Sequence, residues 1–330
     1  MVELGKTGLM ISRIGFGGIP IQRTEEDKIP ALFEALEQEG INFIDTARGY
    51  TVSEEYIGRA IFGRRDRYIL ATKSMARTAE AMAADIDISL HNLRTDHIDL
   101  YQIHNPGMAD LDKVLAPGGA MEALIAAKEA GKIGHIGLTC HLTEVFERAL
   151  EIPQVETVMF PYNIVETQGE ELIAKCCEKG IGFIAMKPLA GGAIENGDLA
   201  VRFILQNEAV SVVIPGMYCP EEVKTNARAT GELTEADQIE IEKLRSTLGT
   251  TFCRRCNYCA PCTVGINIPG VFLFEGYLER YNLEGWARDR YNAMPKTASD
   301  CIECGVCEGR CPYSLPIREM LKKAAAAFGK

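Results

Sequence analysis

Four polar side chains have the chemistry needed to pass a proton to a carbonyl oxygen. They are Asp45, Tyr50, Lys73 and His104. A tyrosine with the ordinary pKa of about 10 is a weak acid at neutral pH, and a nearby ammonium group lowers that pKa by stabilising the phenolate. Lys73 can supply the ammonium group, and Asp45 can keep it charged and in place. His104 can donate a hydrogen bond to the oxygen as negative charge develops. The set predicts a catalytic site with Tyr50 as general acid.

Each of these residues, taken alone, also has a structural explanation. A single Asp, Lys or His at the end of a strand commonly forms a local salt bridge or a hydrogen-bonded polar group of the core. The catalytic interpretation therefore depends on a fold that brings the four side chains together.

Eight of the twelve cysteines form two short runs near the C-terminus. The first cysteine run has the spacing C-x2-C-x2-C-x2-C, and the second has C-x2-C-x2-C-x3-C followed by Pro312. Such close spacing lets a tight loop present thiolates to different irons of one cube, and it predicts two [4Fe-4S] clusters. The predicted ligands are Cys253, Cys256, Cys259 and Cys262 of the first run and Cys301, Cys304, Cys307 and Cys311 of the second.

The second cysteine run resembles that of bacterial ferredoxins, in which three thiolates hold one cluster and the fourth reaches the other. The resemblance implies two ligand sets, Cys253, Cys256 and Cys259 with Cys311, and Cys301, Cys304 and Cys307 with Cys262. The shorter spacing before Cys262 leaves its role open. Two structural zinc ions are the alternative, although zinc sites usually use separated pairs of cysteines. Disulfides do not suit a reducing compartment.

Eight short apolar runs recur between residues 12 and 230, each followed by an amphipathic or Ala- and Glu-rich segment. Continuous apolar runs are typical of parallel strands buried on both faces, and the segments between them are typical of helices. Eight such units predict a (β/α)8 barrel, with a doubly wound open sheet as the alternative. The runs are RIGFGG, INFIDT, YILATK, IDLYQIH, IGHIGLT, VETVMF, IGFIAM and SVVIP.

A barrel of this kind places catalytic side chains at the C-terminal ends of its strands. The second, third and fourth predicted strands end at Asp45, Lys73 and His104. Tyr50 follows in the loop after Asp45. Because these strands are consecutive, their ends are neighbours in space, and the barrel is expected to bring the four residues together.

Local signals predict the limits of several elements. The segment ELGKTGLMIS predicts a hairpin that turns at residues 6–8 and caps one end of the barrel. Thr78 is placed to cap a helix, and Thr234 with Asp237 has the spacing of a capping box.

The composition changes after Gly249, which is predicted to end the last barrel helix. Beyond it the strand pattern stops, and cysteines and aromatic residues gather. We therefore predict two domains, a barrel over residues 1–249 and a small, mainly helical iron-sulfur domain over residues 250–330. A chain segment of this size forms a core of limited stability, which a metal cluster supplements.

Composition also limits the partners and the compartment. The chain has 330 residues, a hydrophobic fraction of 47% and a formal net charge of −11. This charge argues against a nucleic-acid partner, which requires a basic surface. The sequence has no apolar run of about 18 residues and no secretory signal pattern, which predicts no membrane partner and a cytoplasmic location. The isolated Cys176, Cys177 and Cys219 are interpreted as packing residues.

The barrel segment resembles the aldo-keto reductase superfamily. The resemblance is carried by LGKTGLMISRIGFGG, FIDTARGYTVSEEYIGRAI, ILATK and LRTDHIDLYQIH. The D-T-A-x-x-Y segment and the strand-end Lys and His match the family's catalytic tetrad, which implies those roles for Asp45, Tyr50, Lys73 and His104. The family implies reduction of an aldehyde or ketone by hydride from NAD(H) or NADP(H).

The resemblance weakens at the cofactor site. The family contacts the nicotinamide with an Asn, a Gln and an aromatic residue, and the corresponding positions here hold Cys140, Met159 and Met186. Glu222 lies where NADP-preferring members carry Lys or Arg, so no NADP preference is predicted. The Gly-rich turn at residues 188–192 is either an ordinary loop or a turn whose backbone amides approach the pyrophosphate of the cofactor. The predicted cofactor-binding residues are Thr139, Leu189, Gly216, Met217 and Asn226.

The whole chain resembles aldo-keto reductases with a C-terminal ferredoxin-type domain, and three functions follow as hypotheses. In the first, the barrel reduces a carbonyl compound or oxidises an alcohol with NAD(H) or NADP(H), and the clusters either exchange electrons with a redox protein or are structural. In the second, the clusters supply the electrons and nicotinamide is not used. In the third, the chain is an electron-transfer subunit with an inactive barrel, against which the intact tetrad argues.

Overall fold

The computed structural model describes residues 1–248, 251–279 and 284–329. The chain divides into two compact units, Met1–Ala190 with Ile194–Thr247 and Gly191–Ala193 with Leu248–Lys330. Gly249, predicted to end the last barrel helix, lies outside the described residues, as does the predicted domain boundary between residues 249 and 250. That boundary therefore stays a prediction.

The larger unit is a (β/α)8 barrel, as predicted. Its eight parallel strands pair in chain order, and bridges from Ile14 to Val213 and from Gly17 to Gly216 join the first strand to the last. The open-sheet alternative is therefore wrong, and each of the eight apolar runs overlaps a strand. The strands are β3 Phe16–Gly17, β4 Phe43–Asp45, β5 Ile69–Ser74, β6 Ile98–His104, β7 Ile133–Thr139, β8 Thr157–Pro161, β9 Gly182–Met186 and β10 Val212–Ile214.

A hairpin precedes the barrel and covers its N-terminal end. Its strands, β1 Val2–Glu3 and β2 Met10–Ile11, pair antiparallel. Leu4 and Ile11 are fully buried and pack with Phe43, Leu100 and other inward-facing strand residues. The predicted hairpin and its capping role are confirmed, and its apolar side chains seal the end of the barrel opposite the predicted site.

Ten α-helices surround the strands in the described part of this unit. They are α1 Ile29–Gln38, α2 Ser53–Ala60, α3 Ala79–Asn92, α4 Met108–Leu115, α5 Ala120–Glu129, α6 Thr143–Ala149, α7 Glu170–Lys179, α8 Gly197–Leu205, α9 Pro220–Ala227 and α10 Glu235–Leu248. In α1, Ile29, Leu32, Phe33 and Leu36 are buried, which is the spacing of one helix face. The two predicted caps are present: Thr78 Oγ1 accepts a hydrogen bond from Ala81 N, and the Thr234–Asp237 box starts α10.

The smaller unit is mainly helical, as predicted, and none of its described residues lies in a strand. Val271, Phe272 and Tyr291 form its core together with Leu321 and Ala324. No helix within the described ranges is long and apolar enough to cross a membrane. The helices of this unit are α11 Ile268–Glu279, α12 Glu284–Asn292, α13 Val306–Gly309 and α14 Ile317–Ala327.

Candidate active site and metal centre

Strand pairing sets the positions of three predicted catalytic residues at one end of the barrel. Asp45 is the last residue of β4, and His104 is the last residue of β6. Lys73 lies one residue before the end of β5 and pairs with Gln102 of β6. The three side chains are buried, with exposed fractions of 3% for Asp45, 2% for Lys73 and 7% for His104.

Asp45 and Lys73 form a buried ion pair. Lys73 Nζ donates to Asp45 Oδ2 at 2.6 Å and to the Thr46 carbonyl oxygen at 2.8 Å. Gln102 Nε2 donates to Asp45 Oδ1 at 3.3 Å. Burial raises the pKa of Asp45 and lowers the pKa of Lys73, and the attraction between the two groups opposes both shifts. A pair with this many partners holds the lysine in one position.

Tyr50 lies against both the lysine and the histidine. Lys73 Nζ is 5.0 Å from the centre of the Tyr50 ring, and the Tyr50 and His104 ring centres are 6.1 Å apart in an edge-on arrangement. The structure thus brings Asp45, Tyr50, Lys73 and His104 together.

The expectation that Lys73 lowers the pKa of Tyr50 is not met in this structure. Burial, assisted by the Asp45 carboxylate, raises the pKa of Tyr50 instead. The physical reason is that the buried site offers little water to solvate a phenolate, and the negative charge of Asp45 disfavours a second negative charge on the phenol. Tyr50 therefore keeps its proton at neutral pH, which is the state that a proton donor needs.

His104 is held in its neutral form. Burial lowers its pKa well below the ordinary value, and the charges of Lys73, Arg77 and Lys187 lower it further. A neutral imidazole has one N–H group to donate and one nitrogen that accepts. The ring can therefore donate one hydrogen bond to an oxygen near Tyr50 without adding a positive charge.

This neutral histidine has a consequence for the pH dependence of the reaction. If turnover requires neutral His104, protonation of His104 lowers the rate only at pH values below its lowered pKa. We therefore expect no inflection in kcat/KM between about pH 6 and 7, where an ordinary histidine titrates. The measurement is a pH profile of kcat/KM for aldehyde reduction. An inflection near pH 6.5 that His104→Gln removes, and that the control His91→Gln retains, would contradict this assignment.

A buried network that the sequence did not predict lies behind the Tyr50 loop. Arg48 Nη1 donates to Glu54 Oε2 at 2.8 Å, and the buried Glu54 also accepts hydrogen bonds from Thr72 and Ser89 at 2.8 Å. The Arg48 backbone N–H donates to the Lys73 carbonyl oxygen at 3.0 Å. These contacts fasten the loop that carries Tyr50 to β5. Glu54 in the first turn of α2 is indistinguishable by sequence from an exposed helix-start glutamate.

The predicted cofactor-binding residues are distributed around the C-terminal end of the barrel. Thr139 ends β7, and its Oγ1 accepts a hydrogen bond from Asn105 N. Gly216 follows β10 and bridges to Gly17. The side chain of Met217 is fully buried in the core, which leaves only its main chain to face a ligand.

Leu189 and Asn226 both lie close to Gly197, at the start of α8. A Cβ atom at Gly197 would be 3.7 Å from Asn226 Oδ1 and 3.8 Å from Leu189 Cδ2. Both distances are those of an ordinary van der Waals contact, so the start of α8 lies beside these two side chains.

The remaining cysteine and methionine positions follow the barrel packing. Cys140 is buried in the core between the barrel and its helices, and Met159 is buried inside the barrel. Cys176 is buried as expected, but Cys177 is exposed, which corrects its interpretation as a packing residue. The reason is that Cys176 and Cys177 are adjacent in α7, so only one of them faces the core.

The eight cysteines of the two runs line two cavities in the smaller unit. The first cavity is lined by Cys253, Cys256, Cys259 and Cys311, and the second by Cys262, Cys301, Cys304 and Cys307. Each cavity thus takes three cysteines from one run and the fourth from the other.

The donors and the lining of these cavities suit iron-sulfur clusters. Ile268, Phe272 and Leu315 line the first cavity, and Ile268, Val306 and Leu321 line the second. All eight cysteines are free of disulfides. Within residues 251–279 and 284–329, no three Cys, His, Asp or Glu side chains gather closely enough to hold a single metal ion. Apolar walls and four thiols are a suitable setting for a cubane.

Two family models match the chain. A model described as the aldo/keto reductase family matches residues 13–199. A model described as a 4Fe-4S dicluster domain matches residues 252–316, the segment that contains both cysteine runs.

Individual proteins resemble the chain over about three quarters of its length. L-galactose dehydrogenase of Arabidopsis thaliana is 29% identical, covering 74% of this chain and 93% of that protein. The uncharacterised oxidoreductase YqkF of Bacillus subtilis is 30% identical, covering 73% and 80%. The holo form of aldo-keto reductase AKR11C1 from Bacillus halodurans superposes with a TM-score of 0.65 at 26% identity, covering 74% and 95%.

Proposed function

Because the chain belongs to the aldo/keto reductase family and carries a 4Fe-4S domain, we propose that it reduces an aldehyde or ketone, or oxidises the corresponding alcohol, with a nicotinamide cofactor. The observation that carries the proposal is the contact of the Tyr50 ring with both Lys73 and His104 above the buried Asp45. A phenol, a neutral imidazole and an ammonium group at one point can act together on a carbonyl oxygen.

In the reductive direction, Tyr50 donates its proton to the carbonyl oxygen. His104 donates a hydrogen bond to the same oxygen, which polarises the carbonyl group and orients it toward the phenol. Lys73 stabilises the phenolate that remains, and Asp45 keeps Lys73 oriented. NAD(H) or NADP(H), when bound, supplies or accepts the hydride.

The residues proposed to hold the nicotinamide cofactor are those at the same end of the barrel as Tyr50. The proximity of Leu189 and Asn226 to Gly197 supports this, because Gly197 starts α8 and the backbone N–H groups at a helix start attract anionic groups. The full proposed set is Thr139, Leu189, Gly216, Met217 and Asn226.

For the smaller unit we propose two [4Fe-4S] clusters, one in each cavity. The proposed ligands are Cys253, Cys256, Cys259 and Cys311 for the first, and Cys262, Cys301, Cys304 and Cys307 for the second. The family model for a dicluster domain and the two four-thiol cavities support this number. The clusters exchange single electrons with a redox protein, and the thiolate ligands suit the cytoplasm, where cysteines stay reduced.

A second candidate function is a reductase in which the clusters supply the electrons and nicotinamide does not bind. Cys140, Met159 and Met186 favour it, because they stand where the family contacts the nicotinamide. An inactive barrel is less well supported, because the buried Asp45–Lys73 pair is costly to maintain without a function.

Titration of the anaerobically purified chain with NADH and with NADPH distinguishes these functions. We expect saturable binding of at least one of them, with a dissociation constant in the micromolar range that is typical of such cofactors. Asn226→Leu should weaken this binding at least tenfold, while Asn207→Leu, at the opposite end of the barrel, should leave it unchanged. If neither nucleotide binds to protein with full iron content, the cluster-driven function replaces the proposed one.

A further inference from the structure

A hydroxyl group lies against an exposed cysteine of the second cavity. Thr263 Oγ1 and Cys304 Sγ are 3.3 Å apart, within the range of a hydrogen bond to sulfur. Both residues line the second cavity, and Cys304 is exposed to solvent. A sulfur that binds iron is a thiolate without a proton, so in the loaded protein the Thr263 hydroxyl is the donor.

The contact between Thr263 and Cys304 joins the two cysteine runs. Thr263 directly follows Cys262 of the first cysteine run, yet it touches Cys304 of the second run. Cys262 and Thr263 therefore both belong to the second cavity. The Glu303 backbone N–H also donates to a sulfur there, to Cys301 Sγ at 3.4 Å.

We propose that the Thr263 hydroxyl raises the reduction potential of the cluster in the second cavity. The inference rests on the proposed function in that it takes this cavity to hold a [4Fe-4S] cluster. Uptake of one electron increases the negative charge on the cluster and its sulfur ligands, and a hydrogen bond to a ligand sulfur stabilises that more negative state. Removal of the donor must therefore make the cluster harder to reduce.

The charged residue that lines this cavity contributes less to the potential. The side chain of Arg318 is 46% exposed, and its Nη2 lies 2.7 Å from Glu308 Oε2. Solvent and the carboxylate screen this charge from the cluster. The Thr263 hydroxyl carries no charge, but it contacts the sulfur of Cys304 directly. This contact lies at the solvent-exposed edge of the cavity, where a redox protein can approach.

Potentiometric titration of the full chain with dithionite, followed by EPR, tests the proposal. Thr263→Val removes the hydroxyl at nearly constant volume, and Thr263→Ser keeps it. We expect Thr263→Val to lower the equilibrium constant for reduction of one cluster three- to tenfold, where tenfold corresponds to about 59 mV for one electron. The other cluster should be unaffected. Thr263→Ser and the control Thr225→Val, a substitution in the barrel unit, should leave both midpoints within the error of the wild type.

Iron analysis accompanies each titration. Unchanged midpoints in Thr263→Val with full iron content would overturn the proposal, as would an equal shift in Thr263→Ser, because that would implicate the methyl group. If Thr263→Val loses iron, the midpoints of Thr263→Ala with full iron content are measured instead, and unchanged midpoints in that variant would overturn the proposal. A wild-type chain with a single cluster would contradict the proposed cluster number, whereas the effect of Thr263 on the cluster bound by Cys304 would remain measurable.

Discussion

Tyr50→Phe is expected to lower kcat for carbonyl reduction by about 10²- to 10⁴-fold, the range attributed to a positioned general acid. The substitution removes only the phenolic O–H, and the ring keeps its contacts with Lys73 and His104. Nucleotide binding and the thermal midpoint should therefore change little. The measurement is kcat and KM with a panel of aldehydes headed by 4-nitrobenzaldehyde, together with nucleotide titration of the same samples.

A matched control separates the role of Tyr50 from a general effect of removing a hydroxyl group. Tyr56 lies on α2 outside the site, and its ring stacks on Arg59. Tyr56→Phe should keep kcat within about twofold, in line with a surface substitution. Turnover of Tyr50→Phe within tenfold of the wild type would remove Tyr50 as the proton donor.

Replacement of one cysteine in either cavity should remove one cluster and leave the other. We expect Cys256→Ala and Cys311→Ala to lose about four irons from the same cluster, and Cys262→Ala and Cys304→Ala to lose about four from the other. The physical reason is that each cavity takes its fourth thiol from the opposite run. EPR of the reduced variants identifies which cluster remains.

Pairs of substitutions test the ligand sets directly. Cys262→Ala combined with Cys304→Ala should lose no more iron than either alone, because both thiols serve one cluster. The double variant with Cys262→Ala and Cys256→Ala should lose both clusters. The smaller unit should then unfold at a lower temperature, because it lacks the stabilisation that bound clusters provide. Cys219→Ala, outside both cavities, is the control. If Cys262→Ala with Cys256→Ala loses only one cluster, and Cys262→Ala with Cys304→Ala loses both, then each cysteine run holds its own cluster.

Much of the barrel could be predicted because its signals are local. A parallel strand buried on both faces must be apolar along its length, so IDLYQIH and IGHIGLT indicated β6 and β7 directly. The Thr78 cap depends only on the residues of its own helix start. The convergence of Asp45, Lys73 and His104 followed from topology, since consecutive parallel strands end at one rim.

The properties that sequence reasoning missed depend on burial in three dimensions. The direction of the Tyr50 pKa shift depends on how much water the folded site admits, which no spacing of residues reports. Glu54 looked like an ordinary helix-start acid but is buried with four hydrogen-bond partners: Arg48, Thr72, Ser89 and Asn92. The environment of Met217, likewise, depends on which face of its loop meets the core.

In the proposed reaction, the barrel passes hydride from a nicotinamide to a carbonyl carbon while Tyr50 supplies the proton. A single turnover of the anaerobic enzyme with 4-deuterated NADH or NADPH, labelled on the face that transfers, and 4-nitrobenzaldehyde tests this reaction, with mass spectrometry of the alcohol as the readout. We expect one deuterium on the carbinol carbon in the wild type and no detectable product from Tyr50→Phe in the same time. Alcohol formed without deuterium from either labelled face, or formed equally well by Tyr50→Phe, would contradict it.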